Sequence, residues 1–130
     1  MNELYIPGDL AFHYIPKTTI KKYVKVYVCS TNNALSLEDM DGKLYDYIGE
    51  LYPIPLTPEI LEKNGWKKSK INDCAYFYYK DGLFLTYTSK DGKFWFDDFD
   101  YSSSICVELP YVHSLQHLLF GIGLNSEMEV

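Results

Sequence analysis

His113 and His117 stand four residues apart in Tyr111-Val112-His113-Ser114-Leu115-Gln116-His117, a spacing that puts two imidazoles on one helix face where a metal could take both. A metal needs a third and usually a fourth ligand. The segment offers no H-E-x-x-H pattern and no carboxylate on that face, so surface or hydrogen-bonded structural histidines are the expectation and no metal is assigned. Asp97-Asp98-Phe99-Asp100 could gather a hard cation, but it lacks the spacing and turn glycine of a calcium loop and reads as a solvated acidic loop. No G-x-S-x-G elbow is present, and nothing pairs a Ser or Cys with either histidine. Gly121-Ile122-Gly123 falls at a helix end, the wrong place for a phosphate cradle. No cofactor is expected.

The basic side chains gather once, at Lys63, Lys67, Lys68 and Lys70 around Trp66. An indole face beside several ammonium groups could hold a nucleotide or a single-stranded base by stacking and charge attraction. The competing reading is a helix C-terminus whose lysines compensate the dipole while Trp66 is buried. A second group of candidate contacts is Tyr111, His113 and Gln116, near the C-terminus.

The composition narrows the function. The chain has 130 residues, 12 basic and 18 acidic, with a net charge of -6 and no arginine. Arginine supplies the planar fork that reads phosphate and guanine, and lysine is only a mobile point charge. Sequence-specific DNA recognition is therefore disfavoured, and net acidity also opposes nonspecific binding to nucleic acid. Cys29, Cys74 and Cys106 are widely spaced, each in an apolar stretch that reads as strand, and are expected to be buried free thiols in a reducing compartment. The start of the chain has no basic region followed by an apolar one, and no run is long enough for a bilayer, so cytoplasmic residence without membrane association is expected.

The elements that must position these residues suggest one α+β domain. In the β-rich part, residues 1–52, Val24, Val26 and Val28 alternate with Tyr23, Lys25 and Tyr27, as in a strand of a small curled antiparallel sheet. Ser30-Thr31-Asn32-Asn33 and Asp41-Gly42 read as turns. Residues 53–66 form a connector and short helix. Two prolines precede Thr57 as cap, Pro58 takes the first helical position, and Gly65 with Trp66 fits a Schellman stop. Residues 67–124 hold a β-meander broken at Lys80-Asp81-Gly82 and Lys90-Asp91-Gly92, where Asp-Gly favours type I′ hairpins. A further strand is expected over Ile105 to Leu109, after the polar loop Tyr101-Ser102-Ser103-Ser104. Val112, Leu115, Leu119 and Ile122 then form the apolar stripe of a C-terminal helix laid across the meander. Residues 125–130 are expected to fray. Thirteen Tyr, seven Phe and two Trp place rings on both faces of the meander. One helix covers one face, so the other should meet the first sheet, a ligand or a second copy, and homo-oligomerisation is an expectation.

Two of these segments, Pro53-Ile54-Pro55-Leu56-Thr57-Pro58-Glu59-Ile60-Leu61-Glu62-Lys63-Asn64-Gly65-Trp66 and Tyr111-Val112-His113-Ser114-Leu115-Gln116-His117-Leu118, resemble a group of small uncharacterised proteins of Bacteroides-type bacteria and their phages and prophages. The group's pattern is roughly PIPLT, a short helix and GF, followed by YVHxLQxL. The resemblance covers residues 45 to 124 and carries no activity with it. It implies a mobile-element setting, in which a small acidic protein without catalytic motifs acts by binding. The leading expectation is a non-enzymatic accessory protein that binds a host protein or sequesters a small nucleotide-like ligand such as a signal of host defence. A nucleic-acid module using the N-terminal sheet as an SH3-like barrel, with Lys17, Lys21, Lys22 and Lys25 as contacts, is the first alternative. An enzyme with an unfamiliar site at His113 and Gln116 is the second.

Overall fold

The computed structural model describes residues 5–29, 35–97 and 106–130. The turn at Ser30-Thr31-Asn32-Asn33, the acidic Asp98-Phe99-Asp100, the loop Tyr101-Ser102-Ser103-Ser104 and Ile105 lie outside the described residues, as do the side chains of Val28, Cys29, Asp97 and Cys106. The fold is α+β, with two five-stranded antiparallel sheets and two helices. The chain divides into two compact units, Met1–Ile54 with Tyr111–Glu127, and Pro55–Pro110 with Met128–Val130.

In the first unit, β1 (Leu10–Tyr14), β2 (Lys21–Cys29), β3 (Leu35–Asp39), β4 (Leu44–Tyr47) and β5 (Tyr52–Pro53) lie in the order β4-β3-β2-β1-β5. Strand alternation sorts the side chains by face. Val24 and Val26 are buried with Leu37, and Tyr5, Leu35, Tyr45, Tyr47 and Leu51 pack against them. Val26 pairs with Leu37 while Val28 pairs with Ser36, so Tyr27 is the extra residue of a β-bulge. The linear strand order leaves β4 and β5 as edges, an open sheet where a closed SH3-like barrel was one alternative.

The second unit has the order β10-β9-β8-β7-β6, with β6 (Lys67–Asn72), β7 (Ala75–Lys80), β8 (Leu83–Thr88), β9 (Lys93–Asp97) and β10 (Cys106–Glu108). Tyr78, Leu85 and Phe94 are its buried centre. The first hairpin is as its sequence requires, with Asp81 at φ 51 and Gly82 at φ 81. The second differs. Only Gly92 has positive φ there, and Asp91 organises a wider turn by accepting hydrogen bonds from the Thr88 hydroxyl and the Lys93 amide. Those bonds hold its carboxyl below the usual carboxylate range. Helix α1 (Pro58–Lys63) has Thr57 as N-cap, its Oγ1 accepting the Ile60 N–H at 3.3 Å. It ends in the expected Schellman turn, with Trp66 N–H donating to Leu61 O at 3.0 Å and Gly65 N–H to Glu62 O at 3.1 Å.

Helix α2 (Val112–Gly121) buries Val112, Leu115 and Leu119 as its stripe predicts. Ile122 lies past the last turn as the C-cap and is exposed. The helix packs on β1, within the first unit, where the stripe was expected to meet the meander. An apolar stripe carries no information about which of two sheets it covers. Cys74 is likewise not a buried strand thiol: it is exposed in the turn between β6 and β7. The last residues, where fraying is expected, carry specific contacts. Asn64 receives the Glu129 N–H at 2.7 Å and donates to Glu129 O at 2.8 Å, and Lys63 Nζ donates to Val130 O at 2.9 Å. A side-chain amide that donates and accepts at once can hold a segment outside regular secondary structure.

Candidate functional site

Tyr111, His113 and Gln116 come together on α2 and at its N-cap, where the polar atoms of Gln116 serve the scaffold. Gln116 is buried. Its Oε1 accepts the Leu10 N–H at 2.9 Å, and its Nε2 donates to Gly8 O at 3.0 Å and Ser126 O at 3.1 Å. One side-chain amide thereby satisfies three buried or half-buried backbone groups. The buried His113 ring stacks on Tyr111 with centroids 5.6 Å apart and contacts Tyr5 at 4.9 Å.

The His117 ring meets that of His113 edge-on, with centroids 5.5 Å apart and planes at 77°. Its Nε2 meets Asp9 Oδ2 at 2.6 Å. Asp9 is buried and also accepts the Ile6 N–H at 2.8 Å. The carboxylate absent from the helix face thus arrives from 108 residues away, a partner that local spacing cannot announce. Among the described residues no group of three His, Cys, Asp or Glu side chains is placed to hold a metal. Asp9 and His117 fasten the Pro7-Gly8-Asp9 turn to α2, a charge-assisted contact when the imidazole is protonated.

The Trp66 cluster belongs to the second unit, and the structure disperses it. Trp66 is 4% exposed, so its ring offers no open face for stacking. Lys63 reaches Val130, Lys68 lies 4.2 Å from the Tyr76 ring centroid, and Lys70 pairs with Asp73 at 3.0 Å. Lys67, Lys68 and Lys70 are on strand β6, where alternation sends Lys67 to the face opposite its two neighbours.

What the structure does assemble is an aromatic face on the first sheet, opposite Val24 and Val26. Phe12 pairs across the strands with both Tyr23 and Tyr52, and Tyr14 shares its side of β1. Tyr52 stacks on Phe12 at 5.5 Å, and Tyr14 and Tyr23 approach it at 5.6 and 6.0 Å. Phe12 is buried beneath these rings, whereas Tyr14, Tyr23 and Tyr52 are each 37 to 40% exposed. Lys21 Nζ sits 4.7 Å from the Phe12 centroid. On the opposite face, Lys22 lies over Tyr45 at 4.4 Å and 4.0 Å from Asp39. The Tyr45 hydroxyl shares a 2.7 Å hydrogen bond with His13 Nε2, and burial followed by the charge of Asp39 raises the phenol above its ordinary value. Lys22 therefore lies on the face opposite Lys21 and Lys25, and the three do not form one contact surface. The aromatic count pointed to the faces of the meander, and only the strand register shows that Phe12, Tyr14, Tyr23 and Tyr52 share a face of the first sheet.

Among the described residues no helix is long and apolar enough to cross a membrane. Comparison with protein-family models, characterised proteins and solved structures finds no match to the chain.

Proposed function

We propose that the chain is a non-enzymatic accessory protein of a phage or prophage, acting in the cytoplasm of its bacterial host by binding a host protein through the open aromatic face of the first sheet. One observation carries this reading: three tyrosines, each more than a third exposed, converge on one buried Phe12. Scattered exposed rings need no explanation, but a contiguous group on one sheet face has the composition of an interface centre. Tyrosine also contributes contact area with few rotatable bonds, which favours it as an anchor. The net charge of -6 and the internal contacts of Lys21 and Lys22 support a protein partner over nucleic acid. Sequestration of a nucleotide-like ligand is less well supported, since Trp66 is buried and the Tyr14 ring meets Phe12 edge-on at 89°. Exposed Phe84 and Tyr79 on the second sheet support homo-oligomerisation as an addition to this reading.

The test places a photo-crosslinking amino acid at Tyr23, with a control at Lys93 on the second sheet, in host cells. A discrete adduct at position 23 alone is expected. Binding of that partner by the combined Tyr23→Ala and Tyr52→Ala variant should fall by about 100-fold, from ~1–2 kcal/mol per truncated anchor. Unchanged affinity in that variant, or a co-purifying nucleotide with no protein adduct, would sink the reading.

A further inference from the structure

Strands β2, β3 and β4 border a shallow cavity of about 330 Å³ lined by Tyr27, Ser36, Leu44, Tyr45 and Asp46, of which Ser36, Leu44 and Asp46 alternate onto the face that carries Tyr23. It has the features of a built recess. Tyr27 is the bulged residue of β2 and is half exposed, and bulges recur where a strand must re-aim one side chain. Ser36 and Asp46 are cross-strand partners. The Ser36 hydroxyl donates to Asp46 Oδ1 at 3.1 Å, which fixes the plane of the carboxylate. Leu44, half exposed on edge strand β4, supplies an apolar wall.

We infer that this recess receives an arginine side chain of the protein partner, its guanidinium lying against the Tyr27 ring and pairing with the Asp46 carboxylate. The inference rests on the reading of this face as a protein-binding surface and adds the chemistry of the group recognised there. Among the described residues its lining has one carboxylate and no lysine, so its electrostatic character is anionic and a phosphate is repelled. A volume of about 330 Å³ sits at the small end of the range for ligand pockets, enough for one side chain but not a folded segment. A planar cation matches an aromatic wall beside a carboxylate, because guanidinium stacks on the ring and presents paired donors to the two oxygens. Lysine offers the same charge without the plane. A sugar is held by several hydrogen-bonding groups spread around its ring, whereas here a single carboxylate, already accepting from Ser36, stands between tyrosine rings and Leu44. The chain has no arginine of its own and carries a net charge of -6, so no internal guanidinium competes and a basic partner is attracted at long range.

The experiment titrates the isotopically labelled full chain with N-acetyl-arginine amide, its neutral citrulline counterpart, N-acetyl-lysine amide and methyl glucoside, following backbone amide shifts. Arginine should give saturable shifts at Tyr27, Ser36, Leu44 and Asp46 with a millimolar constant. Lysine should bind more weakly, and citrulline and the glucoside should leave these amides unmoved. Asp46→Asn, at an exposed position that preserves shape, should weaken arginine binding at least ~10-fold, the cost of removing one partner of a charge-assisted pair. Absence of saturable arginine shifts, full binding by Asp46→Asn, or equal shifts with the glucoside would each overturn the inference. Tyr23→Ala with Tyr52→Ala should leave arginine binding intact, so the two ideas fail separately. A crosslinked partner bound equally well by Asp46→Asn removes the arginine site alone.

Discussion

Tyr78 lies at the centre of the second sheet, opposite Leu85 on β8 and Lys68 on β6, and is fully buried. Its hydroxyl has no hydrogen-bond partner among the described residues. Burial first, then the charge of Glu62 and the Tyr87 phenol, push its pKa up to about 12. A folded value above the unfolded one means that the native state holds this proton more tightly. The stabilisation is full below the ordinary phenol value near ~10 and disappears as pH rises through about 12. Tyr78→Phe removes an unsatisfied polar atom while keeping the ring, so stability at pH 7 should hold or rise by up to ~1 kcal/mol. The same variant should be less sensitive to alkali than the parent between pH 10 and pH 12 in urea unfolding; an equal alkaline loss would show that other phenols set it. At this scale the sequence is readable where chemistry is local. Trp66 beside Gly65 speaks for itself, whereas Asp9 with His117, or Gln116 with Leu10, joins residues more than a hundred positions apart.

The segment from Thr57 to Trp66 is the most legible element, because cap, proline, helix and stop all depend on neighbours within one turn. Gly65 sits at φ +86, and a Cβ there would meet only the Lys80 side chain at 3.8 Å. Gly65→Ala is therefore costly through backbone strain rather than collision, and should lower stability by ~1 kcal/mol or somewhat more. Gly65→Asn should recover part of that loss, since Asn tolerates the left-handed region. Equal costs for the two variants in thermal or urea unfolding would argue that backbone strain is not the cause. Strand β6 was hidden by the opposite circumstance. Lys67-Lys68-Ser69-Lys70-Ile71-Asn72 is exposed throughout, so no apolar alternation marks it, and its lysines are what an edge strand uses to discourage further pairing. Two-residue β5 and the bulge at Tyr27 leave no periodic trace, which is why the recess at Asp46 was not anticipated.

Across the whole molecule, periodicity and turn residues conveyed the α+β class and composition the shortage of positive charge, but neither conveyed the partnership of α2 with the first sheet. That choice is made by Gln116 and His117 finding Leu10, Gly8 and Asp9, contacts of high sequence separation. The surplus of acid carries its own expectation. Lysines at 22, 63, 68, 70, 80 and 93 all have internal partners, so attraction between this chain and a basic partner should govern the rate of encounter. Raising salt from ~50 to ~500 mM should slow association several-fold while changing dissociation far less, as stopped-flow mixing with the crosslinked partner would show. A salt-independent rate would indicate that the tyrosine face acts without steering. The Gln116 amide, finally, makes three backbone groups depend on one nitrogen and one oxygen. Hydrolysis would exchange one nitrogen for oxygen, leaving an acceptor opposed to the Gly8 and Ser126 carbonyls where two donors now stand. A change of one mass unit at that position would loosen the helix, the N-terminal turn and the tail together.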